Sequence, residues 1–150
     1  MKKIYLAGPL FSEAEQIWLL NTKKKIEDLA IQRGVKVEII WPYELIPKKE
    51  IYSLGERAKF EIFSRCKSHL NDTDILIALL DGPQVDDGTA WEIGYFYRNK
   101  SDKSYIIGIR TDFRNAGETI NSKVNSMIEA SCDKIANSSE NLTQMLFELL

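Results

Sequence analysis

"DILIALLDG", residues 74–82, is almost uninterruptedly apolar between its two aspartates. A strand with one face in water alternates apolar and polar residues, whereas a strand covered on both faces does not. The segment therefore predicts a central parallel strand sandwiched by helices. Outward from it, "KIYLAG" (3–8) predicts a first strand ending at Gly8-Pro9, and "SEAEQIWLLNTKKKIEDLAIQRG" (12–34) an amphipathic helix. Ile17, Leu20, Ile26 and Leu29 approximate its apolar stripe, Ser12 caps it in a Ser12–Glu15 capping box, and Gly34 closes it. "VKVEII" (35–40) alternates and is β-branched, as a second strand is. "WPYELIPKKEIYSLGE" (41–56) reads as a long irregular connection, a kind of segment that often carries function. A helix is expected over 57–72, another over 89–100, and a fourth strand over 105–110. A polar loop spans 111–123, and "VNSMIEASC" holds a short helix. "CDKIAN" holds a weak last strand, and the terminal helix starts from an imperfect capping box at Ser139. Strands alternating with helices mean βαβ units: one α/β domain over residues 1–150, a doubly wound parallel sheet with helices on both faces.

Bulk properties narrow the function. A chain of 150 residues buries roughly 70% of its unfolded surface and needs no staples. Hydrophobic residues make up 44% and charged residues 28%, ordinary for a soluble globular protein. No apolar run approaches the ~20 residues that span a bilayer, and the N-terminus lacks a signal peptide's cleavage pattern. Net charge is −2 with dispersed basic residues, which argues against a polymeric nucleic-acid partner. Lys23–Lys25 read as a solvated helix face. Cys66 and Cys132 have no disulfide or metal-ligand pattern and fit a cytoplasmic protein. His69 is the single histidine, so a histidine zinc site or a Ser-His-Asp triad is disfavoured. Carboxylates must carry any acid–base work.

In doubly wound sheets, ligands bind beyond the carboxyl ends of the strands. "AGPLF", "WPYE", "LDGPQVDDG" and "RTDFR" are those ends here and are expected to line one crevice. It would hold Asp81, Asp86, Asp87 and Glu92. Two readings of Glu92 compete. Thr89 and Glu92 fit a capping box, with Asp86 and Asp87 merely favouring the helix start. Alternatively the carboxylates raise one another's pKa, and a nucleophilic carboxylate works beside a protonated one, as in retaining glycoside hydrolysis. That chemistry calls for no metal and no cofactor. There is no Walker A motif, and no G-x-G-x-x-G follows the first strand.

"IYLAGPLF" (4–11), "DILIALLDG" (74–82) and "VDDGTAWEIGY" (85–95) resemble the nucleoside 2-deoxyribosyltransferase family, from residue 3 to about residue 130. The most specific part is the D-x-G-x-x-x-E core, Asp86 to Glu92. The resemblance implies a flavodoxin-like domain that cleaves the N-glycosidic bond of a nucleoside or nucleotide. It makes Glu92 the nucleophile, Asp86 the group that exchanges a proton with the base, and Tyr5 the residue that positions Glu92. Gly8, Pro9, Phe11 and Gly88 fall on the substrate-binding loops. Asn125 and Met127 match an N-x-M element that reaches into a neighbouring subunit, which implies a homo-oligomer. Cys66 stands where many members carry an aspartate, eight residues before Asp74; Asp74 itself is expected to be structural.

Trp91 and Tyr95 read as packing residues. Trp41 and Tyr43 fit either nucleobase contact or the core. Arg110, Asp112 and Arg114 are expected to support the crevice, unless an arginine meets a 5′-phosphate. The expected partners are nucleosides or nucleotides and free nucleobases. Transfer of deoxyribose between bases is the leading activity. Hydrolysis of nucleosides or their 5′-monophosphates is the alternative, with Ser12 and the following helix start as a phosphate seat. A non-catalytic nucleotide-binding protein is the third reading.

Overall fold

The computed structural model describes all 150 residues. Five parallel strands form one sheet: β1 (Lys2–Ala7), β2 (Val37–Ile40), β3 (Ile75–Leu79), β4 (Tyr105–Ile109) and β5 (Lys134–Ala136). Their order is β2-β1-β3-β4-β5, the flavodoxin-like order. β3 sits at the centre, paired with β1 and β4, and all five of its residues are buried. Burying each of its leucines and isoleucines is worth roughly 1.5–3 kcal/mol.

Helices α1 (Glu13–Arg33) and α7 (Ser139–Leu149) cover one face of the sheet. Helices α4 (Ala58–Asn71) and α5 (Asp87–Asn99) cover the other. Between β2 and α4 lie α2 (Pro42–Leu45), α3 (Lys48–Leu54) and a 3₁₀ turn at Gly55–Arg57; α6 (Ser126–Glu129) precedes β5. Side chains alternate across each strand. Ile4 and Leu6 therefore join the core under α1 and α7, while Tyr5 and Ala7 join the core under α4 and α5. That alternation sends Tyr5 toward the helices that carry Cys66 and Glu92. No helix is long and apolar enough to cross a membrane.

Several local expectations are met. Ser12 and Glu15 form the capping box of α1, and Gly34 ends that helix in the left-handed conformation at φ 65°. Asp74 is structural, its Oδ2 accepting from Lys3 N at 2.8 Å.

Others are corrected. In α1 the buried stripe runs through Leu19, Thr22, Ile26 and Leu29, while Ile17 and Leu20 are exposed. Counting back from Ile26 by helical steps reaches Thr22 and Leu19. The Thr22 hydroxyl is satisfied by Trp18 O at 2.9 Å, so it tolerates burial. The connection 41–56 is mostly helical, because its two prolines stand at helix starts rather than inside helices. α7 is capped by Ser138, not Ser139, through Asn141 N.

Candidate active site

Helix α5 begins at Asp87, two residues before the expected start, and its cap is Asp86. Asp86 Oδ2 accepts from both Thr89 N and Thr89 Oγ1, each at 2.9 Å. Thr89 is thereby a buried tie and caps nothing. The capping box between Thr89 and Glu92 does not form, which frees the Glu92 carboxylate. Asp86 Oδ1 has no protein partner.

Glu92 instead faces β1. The Tyr5 hydroxyl, fully buried, donates to Glu92 Oε1 at 2.5 Å. Glu92 Oε2 accepts from no protein group. Burial pushes the Glu92 carboxyl up to about 7; the Tyr5 bond opposes this and the Asp86 charge adds to it. Burial, with the nearby Glu92 charge, also raises the Tyr5 hydroxyl, so it stays a donor. The Cys66 thiol adjoins the same hydroxyl and is raised by burial. Cys66, Tyr5 and Glu92 thus form a line from α4 through β1 to α5.

A cavity of about 340 Å³ opens beside Cys66, within the size range of small-molecule sites. It is walled by Leu10 and Phe11 after β1, by Pro42 and Tyr43 after β2, and by Ile62 and Cys66 of α4. Gln16 and Lys48 are its other polar residues, and none of its eleven lining residues is an aspartate or glutamate. Phe11 and Tyr43 therefore sit where the strand-end reading placed them. Trp41 does not line the cavity: it is buried and stacks on Tyr43 at 4.9 Å. Gln16, Lys48, Ile51 and Ile62 were not singled out from the sequence. The two prolines bracketing residues 42–47 were the available signal that this connection is shaped rather than loose.

Gly8 and Pro9 are not among the lining residues. A Cβ at Gly8 would stand 3.0 Å from Leu19 Cδ2 and 3.2 Å from Leu79 Cβ, so this glycine lets α1 approach the sheet. A Cβ at Gly88 would stand 3.3 Å from Asp86 Oδ2, beside the capping carboxylate.

Two of the four strand-end segments do not join the cavity. Asp81 accepts from Thr111 N, Asp112 N and the Thr111 hydroxyl, which ties the ends of β3 and β4 together. Arg110 is buried, its Nη1 donating to the carbonyls of Leu80 and Gly82 and its Nη2 to that of Arg114, while its Nε has no partner. Asp112 is held well below the usual carboxylate range, chiefly by Arg114. These residues support the loop rather than reach a ligand, because the exposed backbone at both strand ends needed partners.

The phosphate seat at Ser12 is also corrected. Glu15 Oε2 already accepts from Ser12 N at 2.8 Å and Phe11 N at 3.2 Å. The helix start holds its own anion and repels a second. Trp91 and Tyr95 stack on each other at 5.1 Å, with Phe63 against the Trp91 edge. Asn125 caps α6 through Met127 N and donates to Glu118; Met127 is 79% exposed. Within one chain neither residue lines the cavity.

A buried tyrosine on the first strand, bonded to a glutamate in the helix after the third, frames the comparison with known proteins. The family model described as nucleoside 2-deoxyribosyltransferase matches residues 4–128, which include Tyr5, Asp86 and Glu92. The chain belongs to the nucleoside 2-deoxyribosyltransferase family. It is an enzyme of glycosyl transfer or hydrolysis, of a family that acts on nucleosides and nucleobases.

An uncharacterized protein of Ureaplasma parvum is 30% identical over 162 residues, covering 98% of this chain and 96% of that one. A conserved protein of Enterococcus faecalis superposes with a TM-score of 0.79 at 24% identity, over 100% of this chain and 99% of that one. A 2-deoxyribosyltransferase of Bacillus psychrosaccharolyticus gives 0.71 at 23% identity, over 94% and 90%. A 2-deoxyribosyltransferase of Leishmania mexicana gives 0.69 at 21%, over 99% and 98%. These solved structures share the fold.

Proposed function

We propose that the chain cleaves the N-glycosidic bond of 2′-deoxynucleosides through a covalent glycosyl-enzyme on Glu92 and passes the deoxyribosyl group to another nucleobase. One observation carries this reading. Tyr5 holds one Glu92 oxygen at 2.5 Å and leaves the other without a protein partner, near the cavity that Cys66 lines. A carboxylate fixed by one oxygen and open at the other is arranged for attack.

Glu92 Oε2 attacks the anomeric carbon as the bond to the base breaks, and the electron pair leaves with the base. Asp86, through its unpartnered Oδ1, gives the departing nitrogen a proton. It then takes one from the incoming base, whose nitrogen displaces Glu92. Neither a metal nor a cofactor enters this sequence. Asn125 and Met127 reach the site of a neighbouring subunit, so the enzyme works as a homo-oligomer. Their exposure at the start of a short helix supports that assembly. Two cysteines outside any disulfide suit the cytoplasm, where base exchange would serve nucleoside salvage.

A second reading, N-glycoside hydrolysis, is favoured by Cys66. A thiol holds an acceptor base more weakly than a carboxylate does, which leaves water to complete the reaction. Chromatography of 2′-deoxynucleosides and their 5′-monophosphates, with and without a different free base, tests both. A new deoxynucleoside formed only with added base is the expected result. Free base released without exchange selects the hydrolase. No conversion of any substrate overturns both readings and leaves a binding protein.

A further inference from the structure

The polar groups of the cavity are few and specific. Gln16 Nε2 is spent on Leu10 O at 2.7 Å, so its Oε1 remains an unclaimed acceptor. Lys48 carries three donors and no acceptor. The carboxylates nearest it in sequence are taken: Glu44 pairs with Lys23, and Glu50 with Arg65. Lys48 forms no ion pair, and its ammonium stands 5.9 Å from the centre of the Tyr43 ring, on the same cavity. The cavity thus offers the aromatic rings of Phe11 and Tyr43, the Gln16 acceptor and the Lys48 cation, with no acidic group.

We propose that Lys48 and Gln16 make this cavity select nucleobases with a lactam edge, HN–C=O, as in uracil, thymine and hypoxanthine, over the amino bases cytosine and adenine. The inference rests on the proposed function, because it reads the cavity as the seat of the base. The lactam carbonyl is a strong acceptor and takes the ammonium; the adjacent ring N–H donates to Gln16 Oε1. In an amino base the exocyclic group is a donor. Set at the place of that carbonyl, it meets an ammonium that has only donors, and the ring nitrogen beside it meets a carbonyl oxygen. Both contacts are then mismatched, and the water that a bound base strips from half-buried Gln16 and from the otherwise exposed Lys48 goes unreplaced. A phosphate is the poorer occupant. Eight of the eleven lining residues are hydrophobic, and a dianion needs several donors where Lys48 is one.

The test is equilibrium binding of 1-methyluracil, 9-methylhypoxanthine, 1-methylcytosine and 9-methyladenine, whose methyl group blocks the glycosidic nitrogen as the sugar does, to the full chain, run beside turnover of the matching 2′-deoxynucleosides. The expected result is a preference of roughly 10- to 100-fold for the lactam bases. Lys48→Met, which keeps the stem, should bring that preference close to parity, and Lys48→Arg should restore most of it. Equal binding of all four bases, a preference for amino bases, or an unchanged preference in Lys48→Met overturns the proposal. So does binding of no base at all. Lactam-selective binding without turnover of any nucleoside leaves the selectivity standing and overturns the proposed reaction instead.

Discussion

The Tyr5 hydroxyl on β1 donates to Glu92 Oε1 on α5 at 2.5 Å, across 87 positions of sequence. The bond reconciles two opposed demands on Glu92. Burial pushes its carboxyl up to about 7, which disfavours the anion that the proposed attack needs, and the Tyr5 hydroxyl pulls it back. The site is therefore costly to keep ionised, and that cost is measurable.

Glu92→Gln should abolish turnover and stabilise the protein in alkaline buffer. The folded pKa of about 7 lies above the ordinary 4.5. Between those values the folded chain binds more protons than the unfolded one, so stability falls as pH rises through this window. The full difference amounts to on the order of 3 kcal/mol above pH 7. Melting curves should show Glu92→Gln more stable than the parent at pH 8 and no more stable at pH 4. An equal loss of stability at both pH values would remove this linkage, and turnover retained by Glu92→Gln would overturn the catalytic assignment.

Tyr5→Phe should move the acid limb of the kcat/KM profile to higher pH. The hydroxyl stabilises the charged carboxylate, so its removal raises the Glu92 pKa further. Activity near pH 6 should fall more steeply than activity near pH 9. A uniform loss at all pH values would mean that Tyr5 acts on geometry alone.

Asp86 caps α5, and the proposed reaction gives it a second function that substitution can separate. Asn still caps helices well, whereas Ala costs about 1 kcal/mol there. Asp86→Asn should therefore keep the melting temperature within a degree or two of the parent's and lose the proton exchange, lowering kcat by roughly 10²- to 10⁴-fold. Asp86→Ala should lose both. Near-parent turnover by Asp86→Asn would remove Asp86 from the reaction and leave it a cap.

The sheet was legible because its signals are local. The apolar run around Ile75–Leu79 and the alternation at Val37–Ile40 follow from what each strand faces. The Tyr5–Glu92 pairing was reachable through family resemblance, since no local pattern links residues so far apart. Thr89 misled because T-x-x-E is also what a helix start looks like; Asp86, one turn earlier, won the cap and released Glu92. Asp81 joins no crevice because the ends of β3 and β4 consume its carboxylate, whereas Arg110 braces the loop as a supporting residue does. Lys48 and Gln16 were illegible. Their place on the cavity depends on how α2 and α3 fold back over β2, which tertiary contacts decide.

Subunit complementation tests the last feature of the site. Asn125 and Met127 do not line the cavity beside Cys66 in their own chain, and the proposed reaction has them act on a neighbour's. Asn125→Ala homo-oligomers should be nearly inactive, because every site lacks the reaching residue, and Glu92→Gln homo-oligomers inactive because every site lacks the nucleophile. Mixing the two and reassembling them creates sites with an intact Glu92 from one chain and an intact Asn125 from another. Activity should then return to a substantial fraction of the parent's, in step with the mixed species seen by native mass spectrometry. Mixed oligomers without activity would place Asn125 in service of its own chain, as the cap of α6 and partner of Glu118. A monomer in light scattering would remove the shared site altogether.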